Sequence, residues 1–456
     1  MLIAAGDGKN GLPVSTPRDA PLDVRAFIDA HPLGRYQLLV AGLCAAIVFI
    51  DGFDAQVMGF VAPALSADLH IPRVALGAVI SSGTFGMMIG ALVFGPLADR
   101  FGRKPVLVAC VVAFGAGSLL TSTAASIAQL TAFRVMTGLG MGGAMPNAIA
   151  LTSEYMPARS RNAAVMTMFC GFSFGAACAG WVAAAAIRQF GWRSVFVVGG
   201  SAPILLAIVL IALLPESIRF LVLARAPQRR VQRYLSRIAP SAPLPAAVAA
   251  GEGEHRASAS AVPQLFAEGR AGVTLLLWTM FFMNLLNLWF LNNWLPMVMH
   301  DAGLDIETAS LITSLFQIGG LLGSLLLAGL FGARVSFRLL AATYLAACLF
   351  ILLIGEAGAS IPLLIVSVFA AGLGVIGGQT MSNALAAEYY PTAIRSTGVG
   401  WALGVGRVGS ILGPILGGLL LSYAGDARRV FWAASAPALI ATAAAYAASA
   451  GTRKHA

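Results

Sequence analysis

The chain has 456 residues, of which 58% are hydrophobic and only 11% charged, with a net charge of +10 and a mean hydropathy of +0.84. Soluble domains carry roughly 25% charged residues, so this composition excludes a soluble globular protein and indicates an integral membrane protein. The positive balance would suggest nucleic-acid binding in a soluble chain, but here it is confined to short polar segments between apolar runs, and no nucleic-acid partner is expected.

The apolar runs are long and continuous instead of alternating at every second residue, which selects membrane helices over a β-barrel. Residues 1–35 are polar, with Pro13, Pro17, Pro21 and Pro32, and lack the charged, apolar and small-residue order of a cleavable signal. DVRAFIDA (23–30) suits a short surface helix. Twelve predicted spans follow, at 36–59, 74–97, 105–123, 127–151, 162–186, 194–214, 272–298, 308–331, 338–355, 360–386, 396–421 and 430–449. The stretch 215–270 holds eight arginines and a Pro/Ala/Ser/Gly-rich middle, and reads as a linker between two six-span halves. Its run Arg225–Arg237 predicts a helix lying on an anionic lipid surface. The expected organisation is an N-terminal segment (1–35), a six-helix bundle (36–214), the linker (215–270), a second six-helix bundle (271–450) and a short tail (451–456).

Of the 29 lysines and arginines, 22 fall on one side of this topology and five on the other, while Arg134 and Arg407 lie inside spans. That bias places both termini and the linker in the cytoplasm. The two halves also repeat. TGLGMGGAMPNAIALTSEYMPARSR (137–161) aligns with AGLGVIGGQTMSNALAAEYYPTAIR (371–395) at an offset of 234, which pairs Gly138 with Gly372, Glu154 with Glu388, Pro157 with Pro391 and Arg161 with Arg395. Parallel repeats of this kind imply a pseudo-two-fold axis along the membrane normal and a binding site near mid-membrane between the halves.

GPLADRFGRKP (95–105) joins spans 2 and 3. Gly95 permits close helix approach. Asp99 ends a helix, where it can face Arg100, Arg103 and the positive N-terminus of another helix, within the specific spacing Gly95, Asp99, Arg100, Gly102, Arg103. Such contacts can lock one conformation and release in another. The loop, the twelve spans, the 6+6 repeat and the central linker together resemble the major facilitator superfamily. The second copy, GLFGARVSFR (329–338), has Ala333 where Asp99 stands in the first, so an acid-dependent lock is expected to be absent or altered there. DGFDAQVMGFVAPAL (51–65), GLGMGGAMPNAIALTSEYMP (138–157), LPESIRFLV (214–222) and GWALGVGRVGSILGP (400–414) narrow the likeness. They resemble the aromatic acid:proton symporters of this superfamily. The resemblance implies import of a benzoate- or 4-hydroxybenzoate-type carboxylate with protons across a bacterial inner membrane. It implies no cofactor beyond the proton gradient, and a monomer. A transporter of another small organic anion, a sugar or a drug is the alternative.

Four charges inside spans carry the expected chemistry, since each is costly at a span centre by roughly 2.5–3.5 kcal/mol. Asp51 and Asp54 are three residues apart on one helix face. Asp51 is expected roughly 12 Å, and Arg134 roughly 10 Å, from the outer ends of their spans at 1.5 Å per residue. The matched depths predict that Arg134 faces the acid pair. One arginine balances one carboxylate and leaves the other able to bind a proton near neutral pH; a static ion-pair cluster is the alternative. Arg407 lies near the midplane with no acid in its own span, and its fork suits a substrate carboxylate, or else an acid on another span.

In the second half Asn284 and Asn287 align with Asp51 and Asp54, as amides that bond a ligand without titrating. Gln317, Gln379, Asn383 and Asn147 are further buried polar candidates. Trp289, Phe290, Trp294 and Trp401 could stack on an aromatic ring. Glu154 with Arg161 and Glu388 with Arg395 are candidate gate pairs, or helix caps. Five cysteines and five histidines are scattered without metal-ligand spacing, so no metal site is expected. No nucleophile triad, HExxH or phosphate loop is present, and the chain is not expected to be an enzyme.

Overall fold

Gly34 opens the first long helix by donating its N–H to Gln37 Oε1 at 2.8 Å, and the helix then runs unbroken to Leu69, where His70 turns into the left-handed region at φ 51°. In this computed structural model residues 22–240, 248–249, 261–331, 336–358, 360–391, 394–423 and 426–453 are described. The elements are β1 (Leu22–Asp23), α1 (Val24–Ala30), α2 (Arg35–Leu69), α3 (Arg73–Phe101), α4 (Arg103–Ser122), α5 (Ile127–Tyr155), α6 (Ala158–Phe190) and α7 (Arg193–Leu213). They continue with α8 (Ile218–Leu223), α9 (Gln228–Ile238), β2 (Val248–Ala249), α10 (Ala261–Gln264), α11 (Ala271–Asp301) and α12 (Ile306–Phe331). The last four are α13 (Phe337–Glu356), α14 (Ile361–Tyr389), α15 (Arg395–Tyr423) and α16 (Ala427–Arg453). The only strands among the described residues are β1 and β2, a parallel pair of two residues each.

Twelve of these helices have 20 residues or more, and 11 are long and apolar enough to cross a membrane. The exception is α5, whose glycines, threonines and Arg134 dilute its apolar content, although its 29 residues extend about 43 Å. The predicted first span, 36–59, ends ten residues early, because Pro63 sits inside α2 without terminating it. Asp51 therefore lies in the middle of a 35-residue helix, not near its end.

The packing repeats with the sequence. Within the first half α2 packs on α6, α3 on α5 and α4 on α7. In the second half α11 packs on α15, α12 on α14 and α13 on α16. Between the halves α3 meets α15, α6 meets α12, and α2 meets α11. These contacts exchange under the pseudo-two-fold that the repeat predicts. Glycine sets the closest crossings: a Cβ on Gly138 would lie 2.0 Å from the Gly83 carbonyl oxygen, and one on the repeat-related Gly372 would lie 2.0 Å from that of Phe316. Lipid chains are as apolar as the helix surfaces, so this tight van der Waals contact, not water exclusion, holds the pairs together.

The linker helix α9 packs its apolar stripe on the protein. Its apolar residues Val231, Leu235 and Ile238 enter one cluster with Phe27 and Ile28 of α1 and with the first half, and Arg229, Arg230 and Arg233 face outward. A helix with one apolar stripe suits a protein surface as well as a bilayer, and here the stripe is taken up by the protein while the arginine face stays exposed. Residues 1–21 of the N-terminal segment, 241–247 and 250–260 of the linker, 332–335 with Ala333 and Arg334, and 454–456 of the tail lie outside the described residues.

The ends of the molecule differ. At the end away from the linker, Arg73 of α3 pairs with Asp301 at 2.7 Å and donates to the Leu421 carbonyl at 3.1 Å. Ser81 Oγ donates to the Ile411 carbonyl at 2.7 Å, and Arg188 faces Glu307 at 3.7 Å. A Cβ on Gly59 of α2 would meet the Asn292 carbonyl oxygen of α11 at 2.4 Å. All of these contacts join the two halves. At the linker end Gly95 has open space where its Cβ would stand, and Asp99 is 77% exposed. Among the described residues, the hydrogen bonds and ion pairs that join the two halves lie at the far end. The acidic loop before α12 is tied down locally. Asp305 accepts the Thr308 N–H at 3.0 Å, which stabilises the carboxylate and lowers its pKa.

Candidate functional site

Mid-way along α2 the two carboxylates part company. Asp54 is fully buried, forms an ion pair with Arg134 Nη2 at 3.0 Å, and accepts a hydrogen bond from Ser118 Oγ at 3.1 Å. These three residues come from α2, α5 and α4, so the ion pair is internal to the first half. Asp51 is equally buried, and neither of its oxygens has a hydrogen-bond partner. The opposite charge that acts on it is Arg407, from α15 of the second half. No ion pair closes between them among the described residues. The sequence expectation that Arg134 faces both acids is thus corrected: one helical turn separates an acid paired within its own half from a buried acid without a hydrogen-bond partner.

Arg134 is only partly satisfied. Its Nε and Nη1 are buried and have no hydrogen-bond partner, while the guanidinium carbon lies 5.9 Å from the Phe196 ring centroid. Arg407 keeps part of its surface accessible and has no hydrogen bond or ion pair among the described residues. An always-charged, partly accessible fork with free donors is matched by a carboxylate ligand.

The second half supplies amides. Asn284 Nδ2 donates to Gln379 Oε1 at 2.8 Å and to the Val375 carbonyl at 3.1 Å, and Gln379 Nε2 donates to Asn383 Oδ1 at 3.3 Å. This ladder leads from the buried interior to Asn383, which is exposed toward the linker end. Asn287 is buried, and both its Nδ2 and its Oδ1 lack partners. Gln317 is turned to Asn292, with Nε2 donating to Oδ1 at 2.9 Å. Asn147 donates to the Gly143 carbonyl of its own helix at 2.8 Å.

The aromatic candidates sort differently. Trp289 lines a small cavity with Arg134 and Asn293. Phe290 and Trp294 are core residues, and Trp294 Nε1 donates to the Pro414 carbonyl at 2.9 Å. Trp401 is not brought to the site: it is 46% exposed and stacks on Trp278 with ring centroids 5.7 Å apart. Its position in the repeat says nothing about which face of α15 it occupies.

The conformational-lock candidates form a network at the linker end. Arg103 Nε pairs with Glu154 at 2.9 Å, Arg103 Nη2 lies 3.9 Å from Asp99, and Glu154 also accepts from Ser217 Oγ. Arg100 is exposed beside the Phe101 ring. Neither gate pair forms. Arg161 and Arg395 instead donate to the carbonyls of Met156 and Tyr390, the residues that end α5 and α14, each at 3.4 Å. Glu388 is exposed and unpaired among the described residues. Of the two readings of these arginines, helix capping is the one observed, at repeat-related positions.

Sequence reasoning missed the side chain that organises this end. Glu216 Oε1 accepts the backbone N–H groups of Arg103 at 2.7 Å, Lys104 at 3.1 Å and Ser217 at 2.8 Å, so it caps the N-terminus of α4 from the linker. Gly102, at φ 101°, makes the turn possible, and a Cβ there would meet Glu216 Oε2 at 2.5 Å. An acid placed after a span and before Ser217 was the available signal. Glu216→Ala is expected to destabilise the protein by about 1–2 kcal/mol, because it removes a charged cap from buried N–H groups. A fall in the thermal midpoint of the purified protein, smaller for Glu216→Gln, which keeps an acceptor, is the measurement. Asn293 and Ser118 were also missed; both are polar residues in apolar runs, a signal that does not reveal the partner.

The comparisons with known proteins agree with this architecture. The family model described as Major Facilitator Superfamily matches residues 44–261 and 277–455. The chain is 43% identical over 431 residues to the 4-hydroxybenzoate transporter PcaK of Pseudomonas aeruginosa, covering 94% of this chain and 96% of that protein. It is 42% identical over 408 residues to the gallate transporter of Pseudomonas putida, covering 89% and 90%. Among solved structures, an inward-facing, occupied bacterial homolog of the human lysosomal transporter Spinster superposes with a TM-score of 0.73 at 16% identity, covering 93% of this chain and 99% of that one. The inward open xylose transporter XylE from E. coli superposes at 0.70 and 18% identity, covering 89% and 95%. Twelve long helices in two repeat-related halves, a family match along both of them and relatives above 40% identity place this chain in the major facilitator superfamily, as a multi-pass membrane protein.

Proposed function

We propose that this protein imports a small aromatic carboxylate together with a proton, by alternating access of its two halves. The observation that carries the reading is Asp51: a buried carboxylate without a hydrogen-bond partner, in reach of the charge of Arg407 from the other half. An ionised Asp51 competes with a substrate carboxylate for that guanidinium. A protonated Asp51 does not, so proton and anion load together from the outside, and loss of the proton on the inner side restores the competition and expels the substrate. The Asp54–Arg134 pair holds the helix face of Asp51 in register.

The names of the relatives, transporters of 4-hydroxybenzoate and gallate, support an aromatic acid as cargo. The bias of Lys and Arg supports a cytoplasmic linker end and cytoplasmic termini in a bacterial inner membrane. On that orientation the present conformation opens inward. The carrier works as a monomer, and the proton gradient is its only energy source.

Uptake of labelled 4-hydroxybenzoate into vesicles holding the full chain, driven by an imposed inward proton gradient, tests the proposal. Asp51→Asn is expected to abolish gradient-driven accumulation while retaining exchange of labelled for unlabelled substrate across the membrane. Accumulation that survives Asp51→Asn would remove Asp51 from the coupling, and competition by dicarboxylates or sugars in place of benzoates would reassign the cargo.

A further inference from the structure

Ile211, in the last turn of α7, has a carbonyl without its usual helical donor, because the residue four places on is Pro215, which has no N–H. Lys104 supplies the bond instead: its Nζ donates to the Ile211 oxygen at 2.7 Å. That bond fixes the ammonium beside a surface cavity of about 620 Å³, where α4 and α7 meet the linker helices α8 and α9. The volume lies within the range of roughly 300–1,000 Å³ usual for ligand pockets. An ammonium has three donors, so two remain for a ligand. Arg230 of α9 lines the same cavity, is exposed, and makes no side-chain hydrogen bond or ion pair among the described residues.

The cavity has two kinds of wall. Val108 and Val112 follow Lys104 at i+4 and i+8 on one face of α4, about 6 and 12 Å into the span, and the exposed Ile211 side chain joins them. This part is apolar. The part at the end of the span carries two cations, Lys104 and Arg230, whose charges act on each other. Glu216 also lines the cavity, but its Oε1 is already engaged by the N–H groups of Arg103, Lys104 and Ser217. Arg229 and Arg233 of α9 add exposed positive charge nearby. Two mutually repelling cations at one end of an apolar groove are complementary to an anion carried on hydrocarbon.

We propose that this cavity is a site for an anionic phospholipid, with Lys104 and Arg230 on its phosphate and an acyl chain along Val108 and Val112. The phosphate sits between the two cations and removes their repulsion. The chain follows the outer face of α4 into the bilayer. Basic pockets at the ends of spans are suited to anionic head groups in this way. Because Lys104 belongs to α4 and Arg230 to α9, one bound lipid fastens the linker to the edge of the first half. The arginine face of α9 thereby finds its counter-charge in the membrane while its apolar stripe stays on the protein. The site is independent of the cargo that the carrier moves.

The test is native mass spectrometry of the purified full chain, titrated with phosphatidylglycerol, with phosphatidylcholine, or with phosphatidylglycerol in the presence of inorganic phosphate. Wild type is expected to retain phosphatidylglycerol at concentrations where phosphatidylcholine is lost. Arg230→Gln is expected to weaken phosphatidylglycerol binding about fivefold, the worth of one basic side chain at an anionic lipid surface. Arg229→Gln, on the same helix but outside the cavity, is expected to leave it unchanged. Ala109→Phe, which fills the apolar part of the cavity and keeps both cations, is expected to weaken it as well. Equal retention of the two lipids by wild type overturns the site. So does an equal loss in the Arg229 and Arg230 variants, which would reduce the attraction to the general charge of α9. Binding that survives Ala109→Phe, or that inorganic phosphate displaces, overturns the lipid as the occupant.

Discussion

Arg407→Gln is expected to reduce uptake of an aromatic carboxylate at least about a hundredfold, because two charge-assisted hydrogen bonds to a carboxylate are each worth about 1.5–3 kcal/mol. Glutamine retains donors but no charge, and it cannot present two parallel N–H groups. Arg407→Lys retains the charge but loses the fork, so it should recover only part of the loss. The measurement is the initial rate of uptake against substrate concentration, combined with direct binding of labelled acid to purified protein. Both should fall, since Arg407 carries no structural bond within the protein among the described residues. The same variant should therefore unfold at the same temperature as wild type. Unaltered binding would assign the carboxylate to another cation.

Arg134→Met is expected to act in the opposite way, through stability. It leaves Asp54 fully buried with only the Ser118 hydroxyl beside it. Breaking a buried ion pair by removing one partner costs about 3–5 kcal/mol, whereas replacing both partners is far less harmful. The double variant Asp54→Asn/Arg134→Met should thus unfold at a higher temperature than Arg134→Met alone. This non-additivity is the signature of a direct pair. Equal destabilisation of the single and double variants would show that the pair contributes nothing beyond packing.

The spans, the repeat and the four intramembrane charges were legible in the sequence, because a charge in an apolar run is visible without knowledge of the fold. Which charge meets which was not. Depth along a helix can be counted from residue number, but only if the end of the helix is known, and α2 continues through Pro63 to Leu69. Rotation about the helix axis is set by packing, so nothing in the sequence separates Asp51, turned to the second half, from Asp54, turned to Arg134. The same ignorance of rotation placed Trp401 in the site, when its ring faces outward against Trp278. Gly95 and Asp99 are a different case: Gly95 has open space beside it and Asp99 is exposed, so neither makes the close contact expected of it. Glu216 was hidden because its partners are backbone N–H groups more than a hundred residues earlier in the chain.

The placement of Asp51 opposite Arg407 has a consequence for the work that membrane voltage can do. In the proposed cycle the loaded carrier holds a neutral Asp51 and an Arg407 neutralised by the bound anion. The empty carrier holds an ionised Asp51 facing a charged Arg407. The Asp54–Arg134 pair sums to zero in both. Neither reorientation moves net charge through the membrane field, which is worth about 2.3 kcal/mol per charge for every 100 mV. In that proposed cycle voltage neither drives nor opposes accumulation, and the substrate would be concentrated only as far as the pH difference across the membrane allows.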